Sequence, residues 1–282
     1  MSQVIKLAGV CGWPIHHSLS PIPHNHWLKD LGLSGAYVHF AVRPDEAVRA
    51  FQSLKHTSIA GVNVTLPLKS LAFQAADEHS SDALKLGVAN CLYKKEGLLI
   101  AHNTDMEGFA APLLKAIGAE ALARKSALII GTGGAAKAVI GALLSLNVPE
   151  IKICGRNDQL AENIAASVNL PSFYNIPWDQ RQLAVSNAGL LVNASAGGMT
   201  GKGALDLALT TIKSDCFVYD LIYTPTHTPL LKAAKEMGCQ ILGGLDMLIA
   251  QAKPSFRYFY GKAPNENSGA REVLLKELRG LK

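Results

Sequence analysis

Lys69, in the segment Asn63-Val64-Thr65-Leu66-Pro67-Leu68-Lys69, and Asp105, in Asn103-Thr104-Asp105, offer an ammonium donor and a carboxylate acceptor. A group that moves the hydroxyl proton of an alcohol while hydride leaves its carbon must lie within hydrogen-bond reach of that oxygen, and either residue has the chemistry. Taken singly, Asp105 reads as a helix N-cap and Lys69 as a solvated helix residue. Taken with Asn90 and Ser18-Leu19-Ser20-Pro21, all at predicted strand ends or turns of one sheet, they read as a polar cluster facing a cofactor.

A place for that cofactor is written further along the chain. Leu128-Ile129-Ile130-Gly131-Thr132-Gly133-Gly134-Ala135-Ala136 fits the GxGxxA pattern between a buried strand and a helix. Gly131 permits the tight turn, Gly133 lets backbone approach a pyrophosphate, Ala136 allows close helix-to-strand packing, and the helix N-terminus presents free N–H groups to the anion. Gly134 and Ala135 belong to the same loop. The next strand ends in Gly155-Arg156-Asn157. A chain built for NAD usually has an acidic residue there for the ribose 2′-hydroxyl; Arg156 offers a guanidinium that pairs with a 2′-phosphate, so NADP is expected, with nearby Asp158 leaving room for NAD.

These residues need a scaffold of strand ends. Residues 4–11, 36–42 and 59–65 read as strands separated by helices after Ser20-Pro21 and from Pro44, the rhythm of a mostly parallel sheet covered by helices. Residues 89–93 and 98–102 flank a polar run ending in Gly97 and predict a hairpin that closes this sheet. Pro67 predicts the start of a helix carrying Lys69. Apolar residues at helical spacing over 105–117, ended by Gly118, predict a linking helix into a second domain. A second alternation follows, with strands at 127–130, 151–154, 190–194, 216–220 and 240–242, which is Rossmann-like. Helices over 245–260 and 269–281 are expected to return to the first domain. The fold class is therefore α/β with two domains, 1–106 with 246–282, and 107–245.

Composition narrows the function. The 282 residues are 49% hydrophobic and 17% charged, with a net charge of +5 scattered along the chain rather than clustered as polyanion binding requires. Nucleic acid is not an expected partner, and no apolar run approaches a membrane span. The five cysteines are widely spaced, which fits buried free thiols in a reducing cytoplasm. His16-His17 and His24-Asn25-His26 are the close histidine groups, and neither has i, i+4 ligand spacing, so no metal is expected.

Segments in order across nearly the whole chain make it resemble the shikimate dehydrogenases. They are Gly12-Trp13-Pro14-Ile15, Ser18-Leu19-Ser20-Pro21, His24-Asn25, Asn63-Val64-Thr65-Leu66-Pro67 with Lys69, Asn103-Thr104-Asp105, the Gly131 loop, Asn193-Ala194-Ser195, Tyr219-Asp220-Leu221-Ile222-Tyr223 with Pro225, and Met247-Leu248 with Gln251. The resemblance implies reversible NADPH-dependent reduction of 3-dehydroshikimate to shikimate, on the route to chorismate and the aromatic amino acids. It implies Lys69 and Asp105 as the catalytic pair, with Lys69 the proton shuttle and the division of proton-transfer roles between the two open. A free lysine titrates near ~10.4, so shuttling near neutrality requires burial or a proton relay. By the same likeness Ser18 and Ser20 hold the substrate carboxylate, and Asn63, Thr65, Asn90, Tyr223 and Gln251 surround its ring. Gly131, Gly133, Gly134, Ala135, Arg156, Asn157, Ser195, Leu221 and Gly244 lie at the cofactor. Cys91 stands where the family commonly has Thr, implying altered packing; Gly155-Arg156-Asn157 replaces a frequent Asn-Arg-Thr, removing a hydroxyl from the 2′-phosphate site. The rivals are an NAD-using quinate/shikimate dehydrogenase and a non-catalytic nucleotide sensor. A monomer or a homodimer fits equally.

Overall fold

Parallel strands covered on both faces need near-continuous apolar runs, and residues 127–130 and 190–192 are such runs. The computed structural model describes residues 5–266 and 268–280. The expected first residue of the first strand, Val4, and last residue of the last helix, Leu281, lie outside the described residues. The chain divides into two compact units, Met1–Gly108 with Ile249–Lys282, and Phe109–Leu248.

The first unit holds β1 (Lys6–Gly12), α1 (Pro21–Asp30), β2 (Gly35–Ala41), α2 (Ala47–Ser53), β3 (Ile59–Val64), α3 (Lys69–Ala75), β4 (Glu78–His79), α4 (Ser81–Leu86), β5 (Cys91–Lys95) and β6 (Leu98–His102). Its sheet order is β2-β1-β3-β5-β6-β4. Only β5 runs against its neighbours: β1 is parallel to β2 and β3, and β4 is parallel to β6. The expected hairpin exists, turning at Glu96-Gly97 with both φ positive, 52° and 82°, as a tight two-residue turn requires. It does not close the sheet, because the two-residue β4 pairs outside β6; so short a strand leaves no periodicity to read. Pro67 does not open a helix either. It follows a cis bond in the turn between β3 and α3, and the helix begins at Lys69 itself.

One face of this sheet packs Phe51, Leu54, Leu68 and Leu92 under α2, α3 and α4; the other packs Trp27, Tyr37, Phe256 and Phe259. At the outer edge of β2 the Asn25 amide acts as a short substitute strand, donating to Tyr37 O at 2.8 Å and accepting from Tyr37 N at 2.9 Å. It satisfies backbone groups that an edge strand would otherwise leave unpaired.

Helix α5 (Asp105–Ile117) begins in the first unit and continues into the second. There α6 (Ala119–Leu122), β7 (Ser126–Ile130), α7 (Gly134–Ser145), β8 (Glu150–Cys154), α8 (Asp158–Val168), β9 (Phe173–Asn175), α9 (Arg181–Ser186), β10 (Leu190–Asn193), β11 (Phe217–Asp220), α10 (Pro229–Glu236) and β12 (Gln240–Gly243) follow. All six strands are parallel in the order β12-β11-β10-β7-β8-β9. Numbered from β7, this is the doubly wound 3-2-1-4-5-6 order, which reverses direction between β7 and β10. The three-residue β9 is the strand that sequence periodicity does not reveal. Helix α11 (Gly244–Tyr260) starts in this unit and ends in the first, which also holds α12 (Ala270–Gly280).

Candidate functional site

In the first unit, the carboxyl ends of β1, β3 and β6 share one edge of the sheet with the amino end of the reversed β5. That reversal brings Asn90, which precedes its strand, beside Asp105, which follows β6. Val64 N donates to Asn90 O at 2.8 Å and Thr65 N to Cys11 O at 2.9 Å, so the loops leaving β1 and β3 are stitched to this edge.

Lys69 Nζ donates to Asp105 Oδ2 at 2.6 Å, with side chains 17% and 9% exposed. The second carboxylate oxygen, Oδ1, accepts from Asn90 Nδ2 at 2.8 Å. Charge-assisted bonds of this length fix the carboxylate from both sides. Asn90 is held in turn: its Oδ1 accepts from Thr104 N at 2.8 Å, and its Nδ2 also donates to Thr104 Oγ1 at 3.0 Å. Asp105 N donates to Asn103 Oδ1 at 3.0 Å. An ammonium has three donors, and one goes to Asp105; the other two suit a ligand oxygen.

Further hydrogen bonds hold the residues around this pair. Buried Asn63 accepts from Tyr37 OH on Oδ1 at 2.8 Å, and its Nδ2 donates to Asn90 O at 3.1 Å and Ser255 Oγ at 2.8 Å. Thr65, partly exposed, starts the turn to Lys69 and accepts Leu68 N on its carbonyl at 2.9 Å. Between β1 and α1, Ser18 Oγ donates to Ser20 Oγ at 3.3 Å, and Ser20 is the N-cap residue of α1 without capping it through its side chain. Gln251 lies on α11 and accepts from Ser255 Oγ on its carbonyl at 3.3 Å. The structure thus gathers Ser18, Ser20, Asn63, Thr65, Lys69, Asn90, Asp105 and Gln251 in the first unit.

The remaining expected residues lie in the second unit, at carboxyl ends of its strands. Gly131 follows β7 with φ 120°, and a side chain there would meet Ala194 backbone at 2.8 Å, so the chains leaving β7 and β10 pass too close for a side chain at this position. Gly133 caps α7 with no side-chain partner, and open space lies where side chains on Gly133 and Gly134 would point. Ala135 continues the first turn of α7. These are the features of an uncovered helix N-terminus suited to a phosphate. Past β8, Arg156 is exposed and Asn157 caps α8, accepting from Leu160 N at 3.0 Å. The Asp158 carboxylate accepts from Trp178 N at 2.8 Å, so the nearest acid is already engaged by backbone. The residues at this strand end fit a 2′-phosphorylated dinucleotide.

After β10 and β11 a buried network organises the loops. Asn193 Oδ1 accepts from Ser195 N at 3.1 Å and Ser195 Oγ at 2.7 Å, while its Nδ2 donates to Asp220 Oδ1 at 2.9 Å. The other Asp220 oxygen accepts from Thr228 Oγ1 at 2.6 Å. Burial pushes the Asp220 carboxyl above its ordinary range, against the pull of Thr228, Ile222 N and Asn193. Leu221 and Tyr223 follow β11, and burial raises the Tyr223 phenol; Gly244 opens α11 where β12 ends.

Residue type alone does not single out Asn193, Asp220, Thr228, Tyr37, Thr104 and Ser255. Asn193, Asp220 and Thr104 sit inside segments that the resemblance rests on; Tyr37 and Ser255 carry no local signal, since their partners are distant in sequence. His24 is fully buried and stacks on Tyr37 at 3.9 Å between ring centroids, and burial pushes its imidazole down to about 3. Burial also pushes the Cys91 thiol up to about 12, which suits packing rather than reactivity. Among the described residues no group of three His, Cys, Asp or Glu side chains is placed to hold a metal ion.

A doubly wound unit with an open Gly-rich loop and a separate α/β unit that carries a lysine–aspartate pair define a dinucleotide-dependent oxidoreductase of two-unit architecture. Residues 10–92 match the model of the shikimate dehydrogenase substrate binding domain. The shikimate dehydrogenase (NADP(+)) of Azorhizobium caulinodans is 38% identical over 275 residues, 97% of each chain. A crystal structure of a shikimate dehydrogenase in complex with NADP+ superposes with a TM-score of 0.88 at 31% identity, covering 98% of each chain. Shikimate 5-dehydrogenase from Thermus thermophilus, solved with NADP(H) and shikimate, gives 0.84 at 32% identity, over 97% of this chain and 99% of that one. The chain belongs to the shikimate dehydrogenase family.

Proposed function

We propose that this protein catalyses the reversible reduction of 3-dehydroshikimate to shikimate with NADPH, and that Lys69 and Asp105 are its catalytic pair. The observation that carries the assignment of the pair is the 2.6 Å bond from Lys69 to a carboxylate whose other oxygen Asn90 holds. NADP, when bound, accepts or supplies the hydride. In the reductive direction Lys69 donates to the carbonyl oxygen of the substrate and delivers its proton as the alkoxide develops, while Asp105 keeps the ammonium in place. In the oxidative direction the same nitrogen takes the hydroxyl proton. Ser18 and Ser20 hold the substrate carboxylate by hydroxyl donors, and Asn63, Thr65, Asn90, Tyr223 and Gln251 surround the ring hydroxyls and carboxylate. A site made of neutral donors and acceptors rejects analogues lacking those hydroxyls, because its own polar groups would be left unpaired.

The second unit holds the dinucleotide: Gly131, Gly133, Gly134 and Ala135 at the pyrophosphate, Arg156 and Asn157 at the 2′-phosphate, and Ser195, Leu221 and Gly244 toward the nicotinamide. Free, buried cysteines suit a cytoplasmic setting; among the described residues no helix is long and apolar enough to cross a membrane.

Initial rates with shikimate and quinate, each with NADP and NAD, test this reading. Shikimate with NADP is expected to give the highest kcat/KM; faster turnover of quinate with NAD overturns it, and no turnover of either acid returns the chain to nucleotide binding alone.

A further inference from the structure

Helices α5 and α11 approach closely at a point outside the catalytic assignment. Gly108 lies three residues past Asp105, just under one turn along α5. A methyl group on its Cα would lie 2.5 Å from Gln251 Cβ and 2.9 Å from both the Cα and the backbone N of Gln251. None of these atoms belongs to a flexible side-chain tip, so contact could be relieved only by moving one helix. Gly108 N donates to Thr104 O at 2.9 Å, so α5 is regular here and the glycine relieves no backbone strain. Retreat of α11 is opposed by Ser255 at its next turn, which donates to Gln251 O and accepts from buried Asn63. Glycine weakens a helix interior relative to alanine, so helix formation alone favours a side chain at this position.

Resting on the assignment of Asp105 and Gln251 to one substrate, we propose that Gly108 is a positioning residue: its bare Cα sets the distance between the helix bearing Asp105 and the Gln251 amide, and through it the grip on the substrate ring. Gly108 touches no substrate. Its effect is transmitted through Gln251.

The test compares wild type, Gly108→Ala, Gln251→Ala and the double variant by steady-state kinetics with shikimate and NADP, with NADP affinity from protein fluorescence. Gly108→Ala is expected to raise the shikimate KM about tenfold, the loss of roughly one ring hydrogen bond, with NADP affinity within about twofold of wild type. The same substitution in the Gln251→Ala background is expected to add little, because the amide it displaces is gone. A wild-type KM in Gly108→Ala, or effects of the two substitutions that simply multiply, overturns the proposal. Should Gly108→Ala not fold, Gly108→Ala/Ser255→Ala, in which the bonds that oppose retreat of α11 are gone, is compared with Ser255→Ala: a further rise in the shikimate KM supports the proposal, equal KM overturns it. Wild type inactive on shikimate would instead sink the functional reading beneath it.

Discussion

Thr228→Val isolates the buried carboxylate that organises the loops after β10 and β11. Thr228 is fully buried and does two jobs with one hydroxyl: Oγ1 donates to Asp220 Oδ2 at 2.6 Å and accepts from Leu231 N at 3.2 Å as the N-cap of α10. Valine keeps the shape and deletes both bonds. A lost N-cap costs about 0.5–2 kcal/mol, and a hydrogen bond to a charged group contributes about 1.5–3 kcal/mol. Allowing for imperfect additivity, a loss of about 3 kcal/mol near neutral pH is expected. The pH dependence is the sharper part. Burial raises the folded-state pKa of Asp220, so its contribution to stability is full below the unfolded value near ~3.9 and is lost as pH rises through the folded value. Removing the Thr228 donor raises the folded value further. The deficit of Thr228→Val against wild type should therefore grow as pH rises from near ~3.9 through the folded-state values, by up to about 1.4 kcal/mol for each unit of added shift. Urea unfolding of both proteins across that range measures it, with Thr228→Ser, which retains the hydroxyl, staying within about 1 kcal/mol of wild type. A deficit that is flat with pH, or that shrinks as pH rises, refutes the reasoning.

Tyr37→Phe leaves Asn63 Oδ1 buried without its 2.8 Å donor; stability should fall by about 1–3 kcal/mol, measured by thermal unfolding, and kcat should fall more than the shikimate KM rises. Arg156→Ala should weaken NADP about tenfold and leave NAD nearly unchanged, with the NADP effect shrinking in high salt because the exposed guanidinium is screened; titration monitored by protein fluorescence reads both.

Much of this fold is legible from apolar spacing. The helices around 105–117 and 245–260 and all but two of the strands announce themselves by periodicity or by short β-rich runs. The exceptions, β4 and β9, are two and three residues long and are made by pairing with neighbours rather than by any pattern of their own. Pro67 misleads because a proline suits the first turn of a helix as well as the loop before one, and residue type does not separate the two. For the site, the Gly131 loop, Lys69, Asp105 and Asn90 stand out because their chemistry is visible in one letter each. The groups that hold them do not. Tyr37 and Ser255 are separated from Asn63 by 26 and 192 positions, and only the folded sheet brings them within hydrogen-bond distance.

The activity proposed for this site turns on the Lys69 ammonium moving the proton of the reacting hydroxyl. The most direct measurement is single-turnover reduction of NADP by shikimate, followed at 340 nm, in wild type and Lys69→Ala. A fall of at least about a hundredfold, the usual scale of a lost general acid–base, with NADP affinity unchanged, is the predicted result; turnover at the wild-type rate without the lysine would contradict it.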